Sequence, residues 1–187
     1  MLHLDVARFA RAQGDALSAL ENLSLAKRAA PDDYWKFEVS RELASLYEEQ
    51  GKFKEAIAEL EIVVRTGFGK AEAHRQSATL HARLQQFEEA CAQFRLAIRD
   101  QQGDAGLRAE ASRACESAGD LVSAEQFLND GIKNPATELA LARALIEFYR
   151  RHDKDRTADS TVAGWARDFP DSPELQKWKS ETAGAKP

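Results

Sequence analysis

Apolar residues recur three and four positions apart along almost the whole chain, in blocks of about a dozen residues separated by turn formers. This spacing predicts helices over about 2–13, 15–29, 33–50, 53–66, 70–84, 87–100, 105–118, 121–133, 136–151 and 155–168. The clearest block is Leu43-Ala-Ser-Leu-Tyr47, then Gly51-Lys-Phe-Lys-Glu-Ala56, then Leu60 and Val63. Two apolar faces meet there across a glycine turn, where glycine supplies the backbone freedom that a tight helix end requires.

The blocks are copies of one another. Ala19, Ala56, Ala90, Ala124 and Ala158 follow at steps of 37, 34, 34 and 34 residues. Five residues before each stand Gly14, Gly51, Gln85, Gly119 and Asp153, all compatible with turns. Four residues after each stand Leu23, Leu60, Phe94, Leu128 and Val162. Ahead of the turns, Ala7, Ala44, Ala78, Ser112 and Ile146 mark where the first helix of each pair meets the second. A period near 34 residues with small residues at fixed helical offsets predicts stacked helical hairpins. The fifth copy, with Ile146 and Trp165, reads as a terminal unit. Pro31-Asp-Asp33 and Pro170-Asp-Ser-Pro173 read as stops that also cap the following helix. Leu175 and Trp178 predict a short closing helix over 172–180, and a disordered tail is expected over 181–187.

With these motifs the chain resembles the tetratricopeptide repeat (TPR) family over about 1–170. It departs from the family pattern where the opening aromatic is missing, and proline closes only the first and fifth copies. The three extra residues of the first step fall in or beside Tyr34-Trp35-Lys36-Phe37, read as an aromatic plug, with Trp35 the candidate for a ligand platform. The resemblance implies an all-α, right-handed α-solenoid of five TPR-like hairpins, at about 1–30, 33–67, 70–101, 105–134 and 136–169, plus the capping helix, in one domain over 1–180. It also implies a concave wall lined by the first helix of each hairpin. Carried onto this chain, the inner positions hold Arg8, Arg11, Arg41, Arg75, Arg83, Arg113, Arg143, Arg150 and Arg151. These are nine of the sixteen arginines, with none of the ten lysines and six acids.

Guanidinium groups are planar, permanently charged and forked, and they match carboxylates and peptide carbonyls. The sorting predicts a protein-binding scaffold or adaptor that takes an extended or helical segment carrying acidic residues. The competing reading is that neighbouring Arg and Glu satisfy one another, as Arg41 with Glu38 or Arg11 with Glu48. The five-residue two-carboxylate clamp by which some family members hold chaperone C-termini is not matched, since its positions read Leu4, Arg8, Glu42, Glu72 and Gln76. The alternative function is a structural segment of a larger assembly, such as bacterial secretion, envelope or exopolysaccharide-export machinery. Such a segment would act through hairpin edges or self-association of terminal hairpins, with Leu2, Val6 and Phe9 exposed.

The bulk numbers narrow the classes further. A net charge of −5 argues against a nucleic-acid partner. No apolar run reaches the roughly 18 residues of a membrane span. The start MLHLDVARFARAQGD shows no export signal, so the cytoplasm is the expected compartment, or the periplasm if the chain is a piece of a larger protein. Cys91 and Cys115 are expected as buried thiols. His74 and His81, seven apart, do not make a metal site, and His81 reads as filling the slot of Tyr47 and Tyr149. Gly67-Phe-Gly-Lys70 lacks the first glycine of a phosphate loop. The paired acids Asp32/Asp33, Glu48/Glu49 and Glu88/Glu89 read as solvated faces, and no nucleophile stands beside a base. No enzyme activity and no cofactor are expected.

Overall fold

The structure is a computed structural model that describes residues 2–100 and 105–184. The described residues form eleven helices in two compact units, Met1–Gln102 and Gly103–Pro187. The first unit holds α1 (Leu2–Ala12), α2 (Ala16–Ala29), α3 (Asp33–Glu49), α4 (Phe53–Thr66), α5 (Lys70–Arg83) and α6 (Phe87–Asp100), each packed against its neighbour in sequence. The second holds α7 (Ala105–Ser117), α8 (Leu121–Gly131), α9 (Leu139–Arg151), α10 (Asp155–Asp168) and α11 (Pro173–Gly184).

The repeated positions explain the hairpins. All five alanines of the register are 0% exposed, so each lets two helices approach where a larger side chain would hold them apart. The five turn residues all have left-handed backbone, with φ of 77, 70, 60, 80 and 55° at Gly14, Gly51, Gln85, Gly119 and Asp153. Each turn closes by the same bond, in which the next residue's N–H reaches back five residues. Asp15 donates to Ala10 O, Lys52 to Tyr47 O, Gln86 to His81 O, Asp120 to Cys115 O and Lys154 to Tyr149 O, at 2.8–2.9 Å. This double-bonded C-terminal cap satisfies carbonyls that the helix end leaves open. Asp15, Asp32 and Asp120 then accept the backbone N–H three residues on and start α2, α3 and α8.

Where copies differ, the physics is local. The extra residues give α3 one more turn, whose Tyr34 and Phe37 rings each lie 5.8 Å from that of Phe68 and 6.3 Å from one another, between ring centres. Trp35 turns inward onto the core of the first hairpin. The α9 helix begins at Leu139 rather than 136 because Glu138 accepts the N–H of Asn134 and Asn134 Oδ1 accepts that of Ala136, a turn that competes with helix. The α11 helix runs to Gly184, past the 181 start expected for a disordered tail; residues 185–187 lie outside those described. Its Leu175 is fully buried, and Gln176 Nε2 donates to Ala166 O on α10. The expectation of free thiols is corrected: neither Cys91 nor Cys115 is a free thiol, and both are disulfide-bonded. Spacing along the chain cannot reveal this, because a disulfide depends on where the Cβ atoms lie in space.

A second register appears between the helices of each early hairpin. Residues 19 apart form polar pairs, His3 with Asn22 at 3.3 Å and His74 with Gln93 at 2.7 Å. In the middle copy the positions are Ser40 and Glu59. Serine is too short to reach, its Oγ has no partner, and the buried Glu59 instead accepts two hydrogen bonds from Lys27 on α2.

Candidate functional site

Of the nine arginines that the family resemblance places at inner positions, five stand on α1, α3 and α5 of the first unit, and four on α7 and α9 of the second. In the first unit they are interleaved with acids. The Arg8 guanidinium donates to Glu38 and Glu42, each at 2.8 Å. Arg11 donates to Glu42 at 3.0 Å, to Ser45 Oγ at 2.6 Å and, as a fork, to Glu49. Arg41 bonds Glu38 at 3.2 Å and lies over Phe37, while Arg83 bonds Glu48 at 3.0 Å and lies over Phe53. Arg75 also has a partner.

Arg8, Arg11, Arg41 and Arg83 are thus held by four glutamates, Glu38, Glu42, Glu48 and Glu49. The carboxylates hold Arg8 and Arg11 above the ordinary arginine range, chiefly through the bonds from Glu42 and Glu49 respectively and against the effect of burial. Each such surface pair is worth about 0.2–1 kcal/mol. The Arg41–Glu38 pairing follows the sequence expectation. The Arg11–Glu48 pairing does not, because Arg11 reaches Glu42 and Glu49 while Glu48 turns to Arg83. Glu42, outside the inner columns read from the sequence, is the hub of this layer. Its signal was the spacing Glu38-x-x-x-Glu42 opposite Arg8-x-x-Arg11.

In the second unit four arginines face two acids, Glu116 and Glu147. Glu116 is fully engaged. It accepts two parallel bonds from Arg151 at 2.9 Å and a third from His152 at 2.9 Å. Arg151's fork, then His152, hold this carboxyl below its usual range. Arg113 lines a small recess with Glu147 and Arg151, and Arg143 lies 5.7 Å from the Trp178 ring centre. Among the described residues no ion pair is made by Arg113, Arg143 or Arg150. All three residues are exposed; Arg143 and Arg150 stand seven apart on α9, and Arg113 stands one turn before Glu116 on α7.

His81 is half-buried and bonds Gln86 at 2.9 Å, within its own turn. Among the described residues no group of three His, Cys, Asp or Glu is arranged to hold a metal, and no helix is long and apolar enough to cross a membrane.

No protein-family model and no curated protein sequence matches the chain. Solved structures do. A MamA crystal structure superposes with a TM-score of 0.66 at 18% identity, over 94% of this chain and 97% of that one. YrrB, described as a TPR protein with an unusual peptide-binding site, does so with a TM-score of 0.64 at 15% identity, over 95% and 90%. PilF of Pseudomonas aeruginosa matches with a TM-score of 0.59 at 17% identity, over 96% and 80%. Five buried alanines in register, five left-handed turns closed by one repeated bond, and these superpositions together assign the chain the tetratricopeptide-repeat fold, an all-α solenoid of helical hairpins.

Proposed function

We propose that this chain is a protein-interaction scaffold whose first-helix face receives an acidic segment of a partner protein, with no catalytic step. The observation that carries the reading is the charge imbalance on α7 and α9. Three arginines there make no ion pair among the described residues, whereas Arg8, Arg11, Arg41 and Arg83 of α1, α3 and α5 are all held by glutamates. Arg113, Arg143 and Arg150 are the donors available to a ligand, with Arg151 beside them held by Glu116. Arg8, Arg11 and Arg83 act first as ties between hairpins, while Arg41 pairs with Glu38 within α3. The peptide-binding site named for YrrB, a protein of the same fold, supports a peptide or protein as the partner.

Exposed charge contacts of this kind contribute about 0.2–1 kcal/mol each, so affinity is modest and falls with salt. A fluorescein-labelled Glu/Asp-rich peptide, titrated by anisotropy at about 0.05 M and about 0.3 M salt, tests the reading. Binding is expected at the lower salt and lost in R113E/R150E, with an unchanged thermal midpoint. Binding equal to the parent's in that variant would remove the site.

A second reading rests on a different surface. Leu2, Val6 and Phe9 lie on one face of α1 and are 74, 40 and 67% exposed, a stripe suited to edge contact within an assembly or with another copy. Concentration-dependent sedimentation abolished by Phe9→Glu would support it, and a single monomeric species at high concentration would count against it.

A further inference from the structure

The apolar stripe of α1 has counterparts further along the chain, and there they are covered. Leu2, Val6 and Phe9 stand 17, 13 and 10 residues before Ala19. The same steps before Ala56 give Val39, Leu43 and Leu46 of α3, and before Ala158 they give Leu141, Leu145 and Phe148 of α9. Those six are 0–2% exposed, whereas Leu2 is 74% and Phe9 67% exposed. What covers the counterparts is the second helix of the preceding hairpin. The α2 helix packs against α3, and α8 against α9. Val39, Leu43 and Leu46 share one core with Leu23 and Ala26 of α2. On α8, Gly131 comes so close to α9 that an added Cβ would meet Leu141 Cδ1 at 2.7 Å. In the third hairpin, Ala73 and Leu80 of α5 join a core with Leu60 and Val63 of α4. The covering helices share a pattern. A buried leucine stands four residues after the register alanine, at Leu23, Leu60 and Leu128, and three residues further on comes Ala26, Val63 or Gly131. The smaller residue lets the helices approach, and the leucine fills the hollow between the stripe's side chains.

From this repeated interface, and resting on the edge-contact reading of α1 given above, we infer that the exposed face of α1 docks one amphipathic helix of a partner protein. That helix is built as α2, α4 and α8 are, with a leucine and a smaller apolar residue three positions apart on one side. Leu2, Val6 and Phe9 are spaced i, i+4, i+7, the spacing by which a single docked helix is gripped. Three features favour such a helix over another copy of this chain. In a folded copy the matching leucines of α2, α4 and α8 are already buried, so none is free to be offered. The stripe is three side chains on one helix, whereas stable pairing of folded proteins engages roughly 20–30 residues a side. Asp5, beside Val6, is exposed and makes no hydrogen bond or ion pair among the described residues. Two α1 faces paired about a twofold axis near Val6 would therefore bring two uncompensated carboxylates together.

The probe is a hydrocarbon-stapled, fluorescein-labelled peptide with the sequence of residues 15–30, the helix that covers the counterpart face of α3. Titrated with the full chain at a concentration where the chain is monomeric, it should bind saturably. In the ¹⁵N-Phe-labelled chain the Phe9 amide should move and the Phe148 amide should stay. Phe9→Glu, at an exposed position that leaves the thermal midpoint unchanged, should weaken binding at least about tenfold, the worth of one phenylalanine side chain taken out of water. Val122→Glu, on an exposed valine of α8, should leave binding unchanged. A peptide carrying Leu23→Glu should not bind. Binding that survives F9E, or that V122E weakens equally, overturns the proposal. If the peptide fails to bind and the chain instead forms dimers that F9E dissolves, the edge-contact reading stands and another copy is the occupant, which overturns the partner helix. Neither peptide binding nor dimers removes both.

Discussion

The ion pair between Lys27 and Glu59 offers the sharpest test of how the hairpins are held in order. Lys27→Met keeps the apolar stem and removes the ammonium that gives Glu59 two hydrogen bonds, at 2.6 and 2.8 Å. The Glu59 side chain is 11% exposed and that of Lys27 36%, so the pair has one enclosed and one half-open end. Stripping a partner from a fully buried pair costs about 3–5 kcal/mol, whereas an exposed pair is worth about 0.2–1 kcal/mol. The intermediate burial places K27M at about 1.5–3 kcal/mol, because Glu59 is left as a poorly solvated carboxylate that Ser40 cannot reach. The double variant K27M/E59L removes both charges and restores apolar contact, and it should return to within about 1 kcal/mol of the parent. Urea unfolding of all four members of the cycle, followed by Trp35 fluorescence with Trp165 and Trp178 replaced by phenylalanine, isolates the first unit. If K27M and K27M/E59L are equally unstable, or the coupling is below about 0.5 kcal/mol, the pair is a surface contact and the reasoning fails.

Two further outcomes follow from the turns and from the Glu116 cluster. Gln85 holds φ of 60° with no glycine to ease it, so Gln85→Gly should stabilise the protein by about 0.5–1 kcal/mol. Gly51→Ala, with nothing within 4 Å of the added Cβ, should cost about 1 kcal/mol through backbone strain alone, and equal midpoints in urea would contradict both. Glu116 is held below its ordinary value mainly by Arg151, so its contribution is present above the unfolded-state value and lost as pH falls through the lower folded one. Glu116→Gln should therefore be about 1 kcal/mol less stable at neutral pH, with the gap closing below about pH 4. A gap independent of pH would refute that origin.

Much of the fold was legible because each hairpin is built from contacts between residues close in sequence. The alanine register, the turn residues and the helix limits all appear in the chain as a period. They reappear in the structure as buried contacts and left-handed backbone at the same positions. The late start of α9 was hidden because Glu138 and Asn134 compete for backbone groups that a hydrophobic pattern does not register. The sorting of arginine could be seen, but not which arginines are taken. Glu42 lies off the inner columns, and only side-by-side packing of α1 and α3 brings it to Arg8 and Arg11.

By itself, then, the order of residues determined a periodic all-helical hairpin array, since each hairpin is built from residues close along the chain. Only the tertiary structure decided which charges pair, where a serine leaves Glu59 to find Lys27, and that His74 and Gln93 meet beside a pocket between α4, α5 and α6. Those outcomes depend on distances of about 3 Å between residues some 20 to 40 positions apart, and a hydrogen bond is lost over less than the width of one atom.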